Sequence, residues 1–332
     1  MMQKGTLVIL VAVCLGAGEA NAQGGAIDSQ CRAGTLSERF TQDACQKAID
    51  LFQFMAPQLG VIIVGGNAVL GEHSAMRGPG HFSVGLRANA IASLLPQGDS
   101  HTPAITGATR SDYAVDKQVI GAPVLDAAVG LFRGFPVAGT YALGVDALVN
   151  VAYIPSVDRQ DVKLELPDGS FKFGFGGRLG VMQETFLTPG LAVTYLRRDL
   201  PTVNVLGRVN SDELNVRDVQ VQSSAWRAVL GKNFSVFGIS LGAGQDRYET
   251  SAGVQVSVDR AGQRMTSSVV QAEQIMTRRN VFANLSLNLS VLRLVGEVGR
   301  VTGGKVSTYN AFGGHDANGA IDYASFGLRV NW

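Results

Sequence analysis

The sequence predicts an all-β fold, an antiparallel sheet closed into a barrel with one lipid-facing surface. Three observations predict it. Apolar residues alternate with polar or small ones in many separate segments, as they do when successive strand side chains point to opposite faces. The connections between these segments alternate between short and long. The chain also finishes on an alternating segment that ends in an aromatic residue, Trp332.

The last segment is the most regular one. From Tyr323 onward the alternation is strict, with Ala324, Phe326, Leu328, Val330 and Trp332 on one face. A soluble edge strand can alternate in the same way, so the rest of the chain decides what the pattern means. The segment resembles the closing strand of Gram-negative outer-membrane β-barrels, whose terminal Phe or Trp is recognised by the assembly machinery. That resemblance implies two partners, outer-membrane lipid and the barrel-assembly machinery, which would bind the strand ending in Trp332.

The same period recurs upstream and predicts a transmembrane antiparallel barrel of about ten strands, with twelve or fourteen as alternatives. The strands are expected near 80–92, 118–132, 139–153, 170–183, 189–199, 213–230, 233–249, 276–289, 290–302 and 320–332. Segment 250–275 also alternates, and we interpret it as a hairpin that extends two strands beyond the membrane. On the lipid face we expect Phe173, Leu179, Leu241, Leu287 and Leu294.

The connections predict which end of the barrel is which. Short turns are expected at 133–138, 184–188, 231–232 and 289–290, and long connections at 93–117, 154–169, 200–212, 250–275 and 303–319. Bacterial barrels have short periplasmic turns and long extracellular loops, so an even strand count places both termini of the barrel in the periplasm.

The first residues predict export, which leaves a periplasmic protein, a secreted protein or an outer-membrane barrel as the alternatives. Lys4 precedes an apolar stretch from about Leu7 to Ala17, and Ala20 and Ala22 suit a cleavage site, so residues 1–22 are predicted to be a signal peptide. The remaining chain has no uninterrupted run of 18 apolar residues, and we therefore expect no transmembrane helix. A net charge of +1 with 17% charged residues gives no electrostatic footprint for nucleic acid, which is not expected as a partner.

Residues 23–79 form an N-terminal helical segment that precedes the barrel domain of residues 80–332. Thr35 and Glu38 match a capping box, and a helix is expected from about Thr41 to Met55, ended by Pro57. The segment is either a periplasmic cap or a plug inside the barrel. Cys31 and Cys45 would form a disulfide if the chain turns back between them, because the compartment is oxidising; two buried thiols are the alternative.

The face opposite the lipid predicts a lumen lined by charges and glycines. The charges either satisfy one another as ion pairs or form a constriction that selects solutes; they are Arg87, Asp126, Asp146, Arg178, Arg293, Glu297 and Arg329. If the N-terminal helix is a plug, Arg87, Asp126 or Arg178 could pair with its Asp43, Lys47 or Asp50. The glycines either leave room for an occupant or curve the strands; they are Gly85, Gly130, Gly144, Gly174, Gly176, Gly180, Gly238, Gly242, Gly244, Gly299 and Gly327.

The organisation of a helical N-terminal segment, the short stretch Gly66-Asn67-Ala68 and a barrel with a terminal aromatic resembles the FadL and TodX-like family of hydrophobic-compound transporters. In that family an N-terminal hatch occupies the barrel and hydrophobic substrates leave through a lateral opening. The family more often has Asn-Pro-Ala at the turn and has more strands. The resemblance implies transport of a small hydrophobic ligand, and it carries over no binding residue.

The sequence predicts no enzyme and no cofactor or metal. His73, His81, His101 and His315 lie far apart, without a carboxylate or cysteine at metal-ligand spacing. A Ser/His pair of the kind used by outer-membrane phospholipases would need His81 and Ser83 on one face with a third orienting group. The expected function is therefore passive transport of small molecules, with hydrophobic ones as candidates, through a plugged lumen. The alternative is a structural or surface-interaction barrel that acts through its extracellular loops.

Overall fold

The computed structural model describes residues 24–97, 106–154, 156–158, 162–209, 212–260 and 262–332. The predicted signal peptide and His101 lie outside the described residues. A 3-10 turn at Ser29–Cys31 and one helix, α1, Leu36–Val64, precede sixteen strand segments. The segments are β1 Phe82–Pro96, β2 Val115–Phe132, β3 Phe135–Val137, β4 Thr140–Ala142, β5 Gly144–Tyr153, β6 Val157–Asp158, β7 Val162–Glu165, β8 Phe171–Met182, β9 Gly190–Asp199, β10 Val203–Val209, β11 Asp212–Phe234, β12 Phe237–Arg260, β13 Gln263–Thr266, β14 Val270–Leu289, β15 Leu292–Thr302 and β16 Ile321–Asn331.

The described strands are more numerous than predicted, and the surplus consists of short segments. Ten segments have ten residues or more, and these coincide with the ten predicted strands. The other six, β3, β4, β6, β7, β10 and β13, have two to seven residues and lie in the connections. Alternation over so few residues gives no usable periodic signal, and for that reason the sequence predicts no separate strands in these stretches.

The ten long strands pair in chain order. Every pair is antiparallel, from β1–β2 through β15–β16. The last strand then pairs with the first, with Ser83 opposite Asn331 and Ile91 opposite Tyr323. The sequence of hydrogen-bonded neighbours therefore returns to its starting strand, and neither β1 nor β16 is a free edge.

One predicted turn is wrong. The structure places the connection between β11 and β12 at Ser235 and Val236, not at 231–232. Gly231 and Lys232 continue the ladder opposite Ser240 and Ile239. The Gly-Lys-Asn sequence looks like a turn, but the pairing with β12 continues through it to Phe234. Segment 250–275 matches the predicted hairpin, because β12 runs on to Arg260 and pairs there with β13.

The helix also differs from its prediction. The capping box at Thr35 and Glu38 is present, and it begins one helix that continues through Pro57 to Val64. Proline removes a backbone donor, which leaves the carbonyl four residues earlier without its usual partner. That carbonyl belongs to Gln53, and the side-chain amide of Gln274 on β14 donates to it over 3.0 Å. A contact from a distant strand therefore allows the helix to pass the proline.

The expectation that the chain has no candidate transmembrane helix is also wrong, because of the length of α1. Residues Glu38–Val64 of α1 are long enough and apolar enough to cross a membrane by length and composition alone. The expectation rested on uninterrupted apolar runs, and Asp43, Lys47 and Asp50 interrupt this one. Of the most apolar window, 72% is buried inside the protein. Composition thus does not separate a helix buried in lipid from one buried in protein.

The outer surface of the sheet carries large apolar side chains in solvent-accessible positions. Phe173 is 56% exposed and Leu241 60% exposed. Leu179 is also exposed, and Leu287 and Leu294, which lie close to strand ends, are half-buried. The inward positions of the same strands are buried and include both apolar side chains and charged ones such as Arg178 and Glu297. An exposed apolar surface around an interior that holds buried charges is the reverse of a water-soluble sheet protein.

Leu241→Arg should destabilise the protein if this surface faces lipid. Leu241 lies four residues into β12, where the side chain would be near the middle of an apolar band about 25 Å tall. Arginine there should cost about 2–4 kcal/mol, whereas Phe237→Arg at the strand end should cost about 0–1 kcal/mol. Unfolding by urea from lipid vesicles measures both variants. Equal costs for the two would contradict a depth-dependent, lipid-facing surface.

The two ends of the described chain lie at opposite ends of the sheet. The amides of Gly24 and Gly25 donate to the carbonyl of Thr308 in a long connection, whereas Trp332 pairs with Phe82 near the short turns. The two ends of the predicted barrel, at Phe82 and Trp332, therefore lie at the same end of the sheet, as expected from an even strand count. The N-terminal segment begins at the opposite end because α1 runs along the interior.

Candidate functional site

The helix α1 fills the space enclosed by the strands. It contacts β1, β2, β11, β12, β13, β14 and β16, so strands from several sides of the ladder surround it. The contacts of Gln58 show how closely α1 packs against the strands. Its side chain accepts hydrogen bonds from Ser93 Oγ and the Leu94 amide and donates to the Leu94 carbonyl. Gly60 faces the ring of Tyr248, which a β-carbon would approach within 2.7 Å. We call residues 24–79 the plug from here on.

Three arginines from three strands meet the C-terminal end of α1. Arg198 and Arg227 donate to the carbonyl of Val64, and Arg87 donates to that of Gly65. Asn89 donates to the carbonyls of Val61 and Ile62. The last carbonyls of a helix lack partners in the helix itself and carry partial negative charge. Strand side chains therefore complete the helix end, which fixes its position along the interior.

The N-terminal half of α1 is held by the long connections at the other end. Asp43 accepts a hydrogen bond from the Thr109 amide, and Asp50 accepts from the amides of Tyr309 and Asn310 at 3.1 and 2.8 Å. Lys47 pairs with Asp43 over 3.2 Å. The expected pairs between these three residues and Arg87, Asp126 or Arg178 do not form, because the two groups lie at different heights along the interior.

All seven charged side chains predicted for the lumen lie in the interior. Arg87 pairs with Asp126 at 2.9 Å and Arg178 with Asp146 at 2.7 Å, in each case between neighbouring strands. Arg293 reaches Glu72 of the plug at 2.7 Å, and Glu297 accepts from the Asn67 amide at 2.9 Å. Arg329 donates to Ser83 Oγ at 2.7 Å. Six of the seven side chains are buried, and Arg293 is half-buried. The network therefore joins strand to strand and strand to plug.

Sequence reasoning missed part of this lining. Arg198, Arg227, Asp246 and Arg278 are equally buried, and Arg227 forms a short ion pair with Asp246. The two-residue alternation in the sequence indicated these residues, since Arg227 alternates with the outward-facing Trp226 and Arg198 alternates with Arg197. Including every inward position of β9, β11, β12 and β14 would have found them.

The arginines of the lining have more N–H donors than the neighbouring hydrogen-bond acceptors satisfy. Among the buried residues of the ten long strands, six are arginines and four are carboxylates. Several guanidinium nitrogens have no hydrogen-bond partner among the described residues: both Nη of Arg178, Nε and Nη2 of Arg198, Nε of Arg227, Nε and Nη1 of Arg278, and Nε of Arg329. Arg198 forms no ion pair with a described residue. Since buried donors without partners are costly, this interior favours water or an anion over apolar contents.

The glycines of the lumen face make room for the plug at several points. A β-carbon on Gly180 would lie 2.5 Å from the β-carbon of Ala75, and one on Gly144, which is paired with Gly180, would lie 2.9 Å from it. Gly130 meets the carbonyl of Gly78, and Gly327 meets the side chain of Leu70. Other glycines accommodate inward-facing strand side chains: Gly242 faces Phe282 and Gly299 faces Tyr323. These glycines therefore admit close neighbours, as expected if they leave room for an occupant.

His73 of the plug joins a buried cluster near the short turns. Its Nε2 lies 2.8 Å from Glu184 and its Nδ1 lies 3.2 Å from Ser240 Oγ. Burial raises the pKa of Glu184, but hydrogen bonds from His73 and Asn233 outweigh it, so the pKa lies below its usual value. The set resembles a Ser-His-carboxylate arrangement, yet Ser240 and His73 are both only 2% exposed. A substrate could not reach them, so the cluster anchors the plug.

The other predicted chemistry does not assemble. His81 contacts the carbonyl of Gly78, while Ser83 accepts from Arg329, so these two residues do not pair with each other. No group of three or more His, Cys, Asp or Glu residues in the described part of the chain is arranged to hold a metal ion.

Cys31 and Cys45 are joined by a disulfide, with 5.7 Å between their α-carbons. The chain turns back between the 3-10 turn and α1, and the pair packs with Ile49 and Val270 at the long-connection end. The loop closed by the bond has about fifteen residues, for which the chain-entropy model gives about 3 kcal/mol.

Replacing both cysteines by alanine should therefore loosen the outer part of the plug without opening the strand ladder. We expect faster amide exchange over residues 24–50 and unchanged exchange in β15, as measured by mass spectrometry. Reduction of the unaltered chain serves as the matched control and should have the same effect. Unchanged exchange over residues 24–50 in both samples would show that the disulfide does not hold the plug.

No protein-family model matches the chain, and no curated protein matches it in sequence. Solved outer-membrane proteins of different functions are similar in structure. The transport unit of the autotransporter AIDA-I from Escherichia coli has a TM-score of 0.38 at 10% identity, over 86% of this chain and 99% of that one. The outer-membrane protease OmpT from Escherichia coli has a TM-score of 0.33 at 10% identity, over 76% and 97%. The toluene transporter TodX from Pseudomonas putida has a TM-score of 0.28 at 9% identity, over 80% and 96%.

These similar structures include a toluene transporter, the transport unit of an autotransporter and a protease. Their identities and TM-scores are too low to carry an argument about activity, so the function has to be inferred from the residues of this chain.

Proposed function

We propose that the ten long strands form a closed barrel in the outer membrane and that the plug controls passage of small solutes through its lumen. The observation that carries the proposal is the polar part of the boundary between plug and strands, where arginines hold the end of α1. Apolar clusters also join the plug to the strands, and they lose burial when the plug moves. The arginines, in contrast, can exchange their protein partners for water, which makes movement less costly at these positions.

The residues that line the lumen also indicate the chemical class of the transported solute. A small hydrophobic ligand remains the expectation from the resemblance to the FadL and TodX-like family. The described lumen, however, presents guanidinium groups, hydroxyls and amides beside its apolar side chains. A small polar or anionic solute is therefore the cargo we propose for the central path, and a hydrophobic one would need an opening between strands.

The small space beside the plug is the reason why the intact chain is expected to be closed. The cavity between Leu70, Arg87, Asp126 and Arg329 has a volume of about 10 Å³, which holds about one water molecule. Recording currents from the intact chain and from a chain without its plug tests the proposal: the first should conduct little and the second freely.

The surface-interaction alternative rests on a separate observation. β11 and β12 continue to Asp212 and Arg260, and they remain paired up to Glu213 and Ser257. From Arg247 to Arg260, β12 extends roughly 40 Å along the strand, and β7, β10 and β13 widen the extension. The inner side of this extension packs on α1 at Ala44 and Ala48, and its outer side suits recognition at the cell surface. Loss of binding to a surface partner after substitution of the exposed Gln263, Arg264 and Thr266, with unchanged conductance, would favour this alternative.

A further inference from the structure

The outward faces of the strands are not alike at the two rims of the apolar surface. At the rim near the short turns they carry exposed aromatic and aliphatic side chains, including Phe82, Phe132, Phe234, Phe237 and Trp332. At the rim near the long connections they carry four exposed arginines, Arg197, Arg247, Arg279 and Arg300. Arginines therefore lie at one rim and aromatic residues at the other.

Two of these arginines lie in one row. Arg197 on β9 and Arg247 on β12 both pair with Ser224 on the strand between them. Adjacent strands are about 4.8 Å apart, which places the two backbones about 10 Å from each other. Ser224 is small, and a concavity of about 120 Å³ opens at this point, lined by Tyr195, Arg197, Gln222, Ser223, Ser224, Arg247 and Glu249.

The concavity lies at the level of an aromatic pair. Tyr195 and Trp226 face each other across β9 and β11, one alternate position closer to the short turns, and are 54% and 44% exposed. Aromatic side chains at the edge of an apolar band mark the level of lipid headgroups. The two arginines thus reach the headgroup layer directly above the apolar surface.

Both guanidinium groups keep donors available. Arg197 donates from Nη2 to Gln222 at 3.2 Å, and Arg247 donates from Nε to Glu249 at 2.8 Å. Asp199 lies 3.9 Å from Arg197 Nε. Arg300 differs, because it forms a two-point pair with Asp322 at 2.6 and 2.9 Å. Free guanidinium edges bind phosphate in a planar, two-point geometry.

We propose that Arg197 and Arg247, with Ser224 between them, bind a phosphate group of a phosphorylated glycolipid in the outer leaflet. The inference rests on the placement in the outer membrane proposed above but not on transport. Small Ser224 and polar Gln222 leave room for the phosphate, and Tyr195 and Trp226 contact the adjoining sugar or acyl region. The carboxylates of Glu249 and Asp199 hold the arginine side chains in place on either side.

Native mass spectrometry of the purified full chain in detergent, with diphosphorylated lipid A added, tests this site. The variant Arg197→Gln/Arg247→Gln should bind lipid A about tenfold more weakly, since it loses two charge-assisted contacts. Arg300→Gln is the matched control on the same rim and should bind as the unaltered chain does. Fully dephosphorylated lipid A should bind the unaltered chain as weakly as diphosphorylated lipid A binds the double variant.

Two results would overturn the proposal. The first is equal lipid A binding by the double variant and the unaltered chain. The second is full displacement of lipid A by millimolar inorganic phosphate, which would show a phosphate site without selectivity for lipid. Bilayer conductance of the double variant should match that of the unaltered chain, so the outcome here is separate from the outcome for transport. Heat-dependent migration on gels confirms that each variant is folded.

Discussion

Removing the plug, residues 24–79, while keeping the predicted signal peptide, residues 1–22, should leave an assembled barrel that conducts freely and prefers anions. The interior then loses α1, and its buried lining retains six arginines against four carboxylates. In planar bilayers we expect conductance to rise on the order of tenfold above that of the intact chain, because the lumen gains the cross-section of a helix. The reversal potential in a salt gradient should indicate anion selectivity.

Arg198→Glu in the plug-free chain separates the charge effect from the opening itself. This change leaves five buried arginines and five buried carboxylates, so anion preference should disappear while high conductance remains. If the plug-free barrel assembles and conducts no more than the intact chain, the plug does not block the lumen and the transport proposal loses its support. Heat-dependent migration on gels reports whether the truncated chain has assembled.

Gly180→Val should displace the plug without removing any of it. The new β-carbon would lie 2.5 Å from the β-carbon of Ala75 and 2.7 Å from its backbone nitrogen. Because one of these atoms belongs to the backbone, the clash is relieved only if that part of the plug moves. Overpacking of this kind costs about 1–3 kcal/mol, which corresponds to about 5- to 150-fold. The Met76 amide, which donates to Asp146 at 3.1 Å, should exchange faster by a factor in that range.

Gly296→Val is the matched control. Gly296 lies on β15 and is exposed, and a β-carbon added to it would meet no other atom within 4 Å. Valine there should face outward and leave Met76 exchange unchanged. Equal exchange in both variants would mean that the Gly144–Gly180 pair does not hold the plug. Increased conductance of Gly180→Val would add an independent test of the plug in a chain of full length.

The sequence by itself determined the strands, their order and their two faces. Each side chain in a strand points opposite to its neighbour, so alternation such as Phe173-Gly174-Phe175 fixes a local choice that needs no distant contact. The capping box at Thr35 and Glu38 is equally local, since its hydrogen bonds join residues three apart. The exceptions are the six short strands, whose pairing depends on the long strands beside them.

Only the tertiary structure decided what fills the interior and how. The helix passes Pro57 because Gln274, more than two hundred residues away, donates to the freed carbonyl. Its end is fixed by Arg87, Arg198 and Arg227 from three different strands. These hydrogen-bond partners come together only because strand pairing brings distant strands close to the helix, and no local sequence pattern predicts them. The position of residues 24–25 at the end opposite Trp332 follows from the same cause, since the helix takes its direction from contacts along the whole lumen.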